Sequence, residues 1–379
     1  MFSTILLNLI VFFLPTQLGH HFWPDFSRAA GIKIDYLSPT LYFVDILIIL
    51  YIASATKKIF TWLMKHHRGI NIFLLFILVN VWFGLSPLNS LFWWLRQIVY
   101  ILFFITLRVN KITWSNIKTP LLYSLLTIIF LETCQLLLQH SVGGLFYWLG
   151  ERFYNSSTPG LAKINFLGTD FIRSPSTFSH PNSLAGFLLI AYYLLHHYKS
   201  PLWQRLIVFC GLVLTLSKAA LLAFVLVMSF HLNAIFLINA FLIFSLLQIF
   251  IPYLPRAFQF ISDRQFLVLP VRGFIKQSPL AGIGLGNFVP ALANYLPGSF
   301  LVTGKLQPLH NTTLLYTVEM GTLGVILLLI FIKNNLKKIS KPAILSLIAL
   351  VIVSGAFDHY WITLPQNKLI LILAAAIML

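Results

Sequence analysis

Residues 119–139 read TPLLYSLLTIIFLETCQLLLQ, an almost wholly apolar run that contains one acidic residue, Glu132. An α-helix needs about 20 mainly apolar residues to cross the hydrocarbon core of a bilayer, and this run has that length. A helix that is hydrophobic all round belongs in a membrane or a protein core rather than on a water-facing surface. The run therefore predicts a membrane-spanning helix.

Similar runs recur along the whole chain, which is 59% hydrophobic and only 9% charged. In lipid the backbone must satisfy its own hydrogen bonds, and helix-length runs do so as α-helices. We expect a single all-α, polytopic transmembrane domain over residues 1–379. The predicted spans number about twelve, at residues 3–18, 41–56, 70–85, 90–107, 119–139, 182–198, 203–216, 218–231, 233–252, 312–332, 343–357 and 367–379.

The net charge of +17 raises the possibility of a nucleic-acid partner, which the distribution of the cations argues against. The lysines and arginines form no basic stripe on a soluble surface. Many lie between the apolar runs, at residues 57–68, 108–118, 199–205 and 333–341. Cytoplasmic loops are enriched in Lys and Arg. We therefore expect a multi-pass protein of a bacterial inner membrane, in contact with membrane lipids, with both termini in the cytoplasm.

Two segments, about 140–181 and 253–311, are predicted to be the only long loops on the outer side. Long loops without structure of their own are uncommon unless they carry function. Both also carry cations where the charge rule expects few: Arg152, Lys163 and Arg173 in the first, and Arg256, Arg264, Arg272, Lys276 and Lys305 in the second. Long loops tolerate surface charge, but the apolar, glycine-rich surroundings of these cations favour a functional site.

The first candidate site is FIRSPSTFSHPNSLA at residues 171–185. Pro181 and Asn182 begin an apolar run, and the free N–H groups at a helix start attract anions. Arg173 lies just outside that start and can bind a phosphate with two parallel hydrogen bonds. His180 is a second polar group there. The alternatives are an arginine that contacts lipid headgroups and a histidine at the membrane interface.

The second group of candidates lies later in the chain. Arg264 is a second cation that can bind a diphosphate, and Arg272 is its neighbour. Lys218 stands between two apolar runs with Ser217 before it, and can supply a third contact to an anionic donor. A lysine that extends to the interface is the alternative.

His310 precedes the apolar run at 312–332 and is the candidate base, because an imidazole with its ordinary pKa of about 6.5 can accept a proton from a hydroxyl at neutral pH. A structural histidine is the alternative. Asn311 can cap the helix, and Glu319, an acidic group inside an apolar run, is a further candidate. The other charges within the runs are Glu132 and Arg96, and a pairing between them would be a structural contact rather than part of the site.

Motifs for metals and nucleotides give no support for a cofactor. The chain has no HExxH pattern, no cysteine pair and no carboxylate cluster in the predicted outer loops. GIGLGNF at residues 282–288 follows no predicted strand, so it reads as a tight turn rather than a dinucleotide site. We expect neither a metal nor a cofactor.

Four stretches together resemble the O-antigen ligase and O-antigen polymerase superfamily of bacterial envelope enzymes. They are RSPSTFSHPNSLAGFLL at 173–189, TLSKAALLAF at 215–224, DRQFLVLPVRGFIKQSPLAGIGLGNF at 263–288 and LHNTTLLYTVEMGTLGVI at 309–326. GIKIDYLSPTLYFVDILI at 31–48 is also similar to the family's openings. The chain departs from the family pattern at Ser176, where glycine is usual, at Lys218, where arginine is usual, and at Pro270, in a stretch that is usually helical. Pro270 is expected to kink or end a helix there.

The resemblance implies a helical membrane protein of the broad GT-C type that works at the outer face of the inner membrane. Its donor would be an undecaprenyl-diphosphate-linked glycan. By the same resemblance, Arg173 and Arg264 bind the diphosphate, and His310 assists an acceptor hydroxyl without a metal.

These observations predict a metal-independent inverting glycosyltransferase that resembles an O-antigen ligase. The alternative is a polysaccharide polymerase with the same donor, and the sequence leaves a glycan, a lipid or a protein as the acceptor. A transporter is a competing class, but transporters place charge near the bilayer midplane on related halves, and here most charge lies at the ends of the runs. A non-catalytic assembly partner is the weakest alternative.

Overall fold

A computed structural model describes residues 2–229, 232–253, 265–298 and 304–379. The chain is mostly helical, which confirms the all-α class. The helices are α1 Phe2–Phe13, α2 Phe43–Ala53, α3 Thr56–Lys65, α4 His67–Trp82, α5 Pro87–Val109, α6 Trp114–Leu138, α7 Pro181–His197, α8 Leu202–Leu214, α9 Lys218–Phe224, α10 Ala234–Leu247, α11 Gln265–Val268, α12 Val271–Gln277, α13 Phe288–Tyr295, α14 Thr312–Asn334, α15 Leu336–Ile339, α16 Pro342–Gly355, α17 Tyr360–Thr363 and α18 Pro365–Met378.

A helix forms in each of the twelve predicted segments, but most of these helices are shorter than a bilayer-spanning helix. Within the described ranges, three are long and apolar enough to cross a membrane: α5, α6 and α14. The number of spans, about twelve, therefore stays a prediction. The predicted break at Pro270 is confirmed, because α11 ends at Val268 and α12 begins at Val271.

Helix α7 is the centre of the molecule, with buried residues along nearly its whole length. Its apolar residues on every side suit it to a position surrounded by other helices, and α8, α9, α16 and α18 pack against it. Gly186 gives room for the ring of Tyr360, because a Cβ there would lie 2.4 Å from a ring atom. This close contact brings the connection between α16 and α18 onto the beginning of α7.

Hydrogen bonds between connections define two ends of the bundle. At one end, which we call the upper end, Thr16 donates to the carbonyl of Leu149 (2.6 Å) and Thr177 donates to that of Pro15 (2.7 Å). At the lower end, Arg108 donates to the carbonyl of Ala376 (2.9 Å). The connection before α7 thus lies beside the end of α1, at the upper end.

The segment between α1 and α2 is a third long connection at the upper end, so the expectation of only two was wrong. Its strands are β1 Gly19–His21, β2 Arg28–Ala29, β3 Ile32–Lys33 and β4 Thr40–Tyr42. Strands β1 and β4 pair antiparallel with His21 opposite Thr40, and β2 and β3 form a hairpin. A further pair, β5 Lys163–Phe166 and β6 Thr169–Ile172, lies in the connection before α7. We call residues 15–42 the N-terminal lobe.

Arg96 and Glu132 do not pair with each other. Arg96 binds Asp45 (Nη2 to Oδ2, 3.0 Å), which lies in α2, and it also donates to the carbonyl oxygen of Thr40. Glu132 is fully buried, and neither carboxylate oxygen has a hydrogen-bond partner in the part of the chain described. The sequence could not decide between two buried carboxylates on different helices.

Candidate active site

A cavity of about 350 Å³ opens at the upper end between six parts of the chain. They are the N-terminal lobe, α5, the connection before α7, the start of α7, the residues just before α14, and the connection from α16 to α18. The polar side chains that meet there include His180, His310, Asp358 and His359. Small-molecule sites are commonly concave, with a few convergent polar groups.

Asp358 is the centre of this cluster and is 5% exposed. Its Oδ2 accepts a hydrogen bond from Asn182 Nδ2 (2.9 Å), and its Oδ1 lies 3.7 Å from His310 Nδ1. Burial by itself raises the pKa of Asp358, but the imidazoles of His310, His359 and His180, followed by the Asn182 amide, lower it further than burial raises it. The pKa of Asp358 therefore lies well below its usual value, and the carboxylate is charged at neutral pH.

Arg173 reaches the cluster through Asn182 rather than lining the cavity. Its Nη2 donates to Asn182 Oδ1 (2.8 Å), and Nε and Nη2 both donate to the carbonyl of Thr215 (3.0 and 2.8 Å). Burial lowers the pKa of Arg173, and the charge of Asp358 opposes that effect. The guanidinium is held in one orientation, and none of these hydrogen bonds uses Nη1.

His310 is held immediately before α14 by the residues around it. Its Nε2 lies 3.2 Å from Gln307 Oε1, and its ring lies edge to face against His359, with 4.7 Å between the centroids. The next residue, Asn311, is the N-cap of α14 as predicted, since its Oδ1 accepts from the N–H of Leu314 (3.0 Å). The capped helix start fixes where the imidazole lies.

Of the other predicted site residues, His180 lines the cavity, while Ser217 and Lys218 do not. His180 is the N-cap of α7 and accepts from the N–H of Asn182 at Nδ1 (3.1 Å). Ser217 is buried, and its N–H donates to Oγ1 of Thr215 (3.2 Å), the residue whose carbonyl holds Arg173; Lys218 is exposed and begins α9. The structure thus brings the three predicted segments around residues 173, 217 and 310 to the upper end.

Other predicted site residues lie elsewhere. Arg264 lies outside the described residues. Arg272 is exposed on α12 and does not line the cavity. Glu319 accepts a hydrogen bond from the N–H of Phe288 (3.1 Å) and borders a smaller pocket behind Tyr36. Its contacts indicate that it positions the glycine-rich turn rather than binding a ligand in the main cavity.

Asp358 and His359 were not among the site residues predicted from the sequence. Both missed residues stand in FDHY at 357–360, a short polar interruption between two apolar runs. An ionisable pair in such an interruption is itself a signal, but its partners are about 50 and 175 residues away in the chain. The packing of α7 and α14 against α16, α17 and α18 brings them together.

Three of these residues also form a set that can hold a metal ion, which the sequence did not indicate. Ligand atoms of His310, Asp358 and His359 lie within 4.8 Å of one another. Two imidazoles and one carboxylate are a donor set that zinc and related ions accept. The second ring nitrogen of each histidine is oriented, since His359 Nδ1 lies 2.7 Å from Thr363 Oγ1 and His310 Nε2 contacts Gln307.

Comparison with known proteins gives no match to a family model, to a curated protein sequence or to a solved structure. The resemblance to O-antigen ligases, and the GT-C type with it, therefore stays a prediction from the sequence.

Proposed function

We propose that this protein transfers a glycan from an undecaprenyl-diphosphate-linked donor to an acceptor hydroxyl at the outer face of a bacterial inner membrane. One observation carries the proposal. Arg173 and His310 come from distant segments of the chain and both connect to Asp358, His310 directly at 3.7 Å and Arg173 through Asn182. A fixed cation and an oriented imidazole are the groups that this reaction requires.

In the proposed reaction the acceptor oxygen attacks the anomeric carbon of the donor sugar, with inversion. The new glycosidic bond forms as the bond to the diphosphate oxygen breaks, and its electron pair leaves with the lipid diphosphate. With His310 Nδ1–H directed at Asp358, Nε2 exchanges its contact with Gln307 for the acceptor hydroxyl and takes its proton. The charge of Asp358 stabilises the imidazolium that results.

The leaving diphosphate gains negative charge, which preorganised cations stabilise by about 3–4 kcal/mol for each well-placed donor. Arg173 lies beside the cavity rather than in its wall, and the proposal assigns this role to Nη1, the nitrogen that its hydrogen bonds to Asn182 and Thr215 leave unused. Arg264 stays in the proposal as the second cation, and Lys218 as a third contact, on the sequence evidence. No cofactor takes part.

The location follows from the charge distribution. The cation-rich connections 57–68 and 333–341 are assigned to the cytoplasm by the positive-inside rule. If the chain crosses the membrane an even number of times between each terminus and the nearer of these connections, both termini are also cytoplasmic. The cavity lies at the opposite end of the bundle and would then face the outer side. A polyprenyl-linked donor carries its own activation to that side. A ligase and a polymerase would share this chemistry and differ in the acceptor.

The test is transfer in proteoliposomes that contain an undecaprenyl-diphosphate-linked glycan and candidate acceptors. His310→Ala is expected to lower the rate about 10²–10⁴-fold, the usual contribution of a general base. His197→Ala is the matched control, since His197 is exposed at the other end of α7. Equal rates for His310→Ala and the wild type would overturn the proposal, and so would movement of the glycan across the bilayer without a new glycosidic bond.

The same assay tests metal independence. We expect transfer to continue in EDTA, because the cavity supplies an oriented base and a counter-ion of its own. Loss of transfer in EDTA with recovery on addition of Zn²⁺ would show instead that His310, Asp358 and His359 act as metal ligands.

A further inference from the structure

The wall of the cavity opposite His310 is built by the N-terminal lobe, a segment with no role in the proposed chemistry. Seven of its residues line the cavity: Gln17, His21, Asp35, Tyr36, Ser38, Thr40 and Tyr42. Arg152, from the connection before α7, completes this wall. The lobe therefore contacts any ligand that occupies the cavity beside His310.

The composition of the cavity indicates what kind of ligand it suits. Among the described residues that line it, Leu364 is the only Leu, Ile, Val or Met side chain. The rest of the described wall consists mostly of aromatic rings, hydroxyls, imidazoles and charged groups. An acyl or polyprenyl chain favours an aliphatic surface, and the described part of the wall offers little of one. A sugar ring has the complementary chemistry, since each hydroxyl both donates and accepts hydrogen bonds and the ring presents an apolar face to aromatic side chains.

The register of β1 and β4 orients the polar groups of the wall. His21 lies opposite Thr40, and its Nδ1 is 2.9 Å from Thr40 Oγ1 and 3.2 Å from Ser38 Oγ. Ser38 Oγ also donates to the carbonyl of Phe22 (2.7 Å). Burial lowers the pKa of His21, against the opposing charge of Asp35, so the ring is neutral at pH 7. With Nδ1 engaged, Nε2 is the nitrogen that can meet a ligand.

This wall also has an ion pair at its rim and an aromatic contact with the cluster around Asp358. Asp35 and Arg152 form a loose ion pair at the rim (3.9 Å), with side chains 59% and 48% exposed. A planar guanidinium and a carboxylate can each form two hydrogen bonds to vicinal hydroxyls. Tyr36 packs its ring edge to face against His359 (5.5 Å), so the wall contacts the cluster around Asp358.

We infer that the N-terminal lobe and Arg152 form a saccharide-binding subsite that holds a pyranose ring beside His310. The binding of the sugar is independent of the proposed function. The role of this subsite in transfer rests on the proposed function. In that reaction, the group held beside His310 would be a sugar of the acceptor or of the donor.

The first test measures binding alone. Saturation-transfer difference NMR on the full-length protein in nanodiscs would use methyl glycosides of glucose, galactose and N-acetylglucosamine as probes. The double variant Asp35→Asn/Arg152→Gln is expected to weaken binding about tenfold or more, because hydrogen bonds to charged groups are lost. Asp25→Asn/Arg28→Gln is the matched control, since both residues are exposed in the same lobe and do not line the cavity.

The inference fails if the wild type binds none of these glycosides, or if the rim variant and the control bind them equally. Both positions of the rim variant are largely exposed, so the folded protein is expected to tolerate it. Thermal unfolding of both variants beside the wild type checks this.

A second arm measures transfer. A higher KM for the acceptor in the rim variant, with kcat unchanged, assigns the subsite to the acceptor sugar, and a higher KM for the donor assigns it to the donor sugar. Unchanged transfer to a lipid or peptide hydroxyl in the rim variant would overturn the subsite and leave the proposed function standing. Glycoside binding that the rim variant loses, with no transfer by the wild type, would support the subsite and overturn the proposed function.

Discussion

At the scale of single residues, the chemistry of the cavity depends on Asp358. This carboxylate is buried, charged and linked on one side to Arg173 through Asn182 and on the other to His310. A buried charge is tolerated when it is paired and hydrogen-bonded. The same contacts that make its burial possible align the imidazole and the guanidinium.

The depressed pKa of Asp358 leads to a prediction about pH. A carboxylate with a depressed pKa stabilises the fold above its unfolded pKa of about 3.9, and this contribution is lost only as the pH falls through the lower folded value. Asp358 therefore remains charged from pH 5 to pH 8. A fall in the transfer rate as the pH is lowered from about 7 to about 5, which we call the acid limb, would therefore come from protonation of an imidazole.

We expect Asp358→Asn to lower the rate and to move this limb to lower pH, because removal of the carboxylate charge makes protonation of His310 less favourable. The measurement is the pH dependence of kcat/KM in the presence of EDTA. Asp170→Asn, in the exposed strand β6, is the control and should leave the profile unchanged. A limb that stays at the same pH in Asp358→Asn would show that the carboxylate does not act on the titrating group.

At the scale of elements, α14 carries His310 before its first turn and a sharp break at Gly321, whose φ of 62° and ψ of −172° lie in a region open to glycine alone. The turn at residues 279–286 packs into this break. Ile283 and Gly284 donate to the carbonyls of Val318 and Glu319 (3.0 and 3.1 Å). Through these hydrogen bonds the turn, which belongs to the long connection predicted at 253–311, is fixed to the helix that positions His310.

Gly321→Ala is expected to lower stability by about 1–3 kcal/mol from backbone strain alone. A further cost arises because the new Cβ would lie 2.3 Å from the carbonyl oxygen of Leu280. Gly273→Ala is the matched control, since Gly273 is exposed in α12 with no neighbour within 4 Å, and alanine there should be neutral or slightly stabilising. Thermal unfolding in detergent measures both. Equal melting temperatures would contradict the role given to the break.

The positions of the helices could be predicted from the sequence, but the contacts between them could not. Apolar runs predicted where every long helix lies, and Asn311 and Pro270 gave a cap and a break correctly, because these depend on local chemistry. The pairing of Arg96 with Asp45, the contact of Asp358 with Asn182 and the wall formed by the N-terminal lobe were not predicted. They depend on which helices are neighbours, and similar apolar surfaces on many helices do not specify that order in the sequence.

At the scale of the whole molecule, the cavity residues His180, His310, Asp358 and His359 lie together at the upper end of the bundle. Helix α14 begins there beside His310 and, after its break at Gly321, ends at Asn334 in the cation-rich connection at 333–341. Its 23 residues are long and apolar enough to cross a membrane. The proposed function requires the upper end to face outward.

Cysteine labelling tests this orientation. In a background of Cys134→Ala and Cys210→Ala, Ser157→Cys places a thiol on an exposed position of the connection before α7, and Lys338→Cys places one beyond α14. In spheroplasts, a membrane-impermeant maleimide should label Ser157→Cys at once and Lys338→Cys only after permeabilisation, because the two positions lie at opposite ends of the bundle. The cysteine-free background controls for unspecific labelling. The reverse pattern would place His310 and the cavity in the cytoplasm, away from an outer-face donor, and transfer at that face would then be impossible.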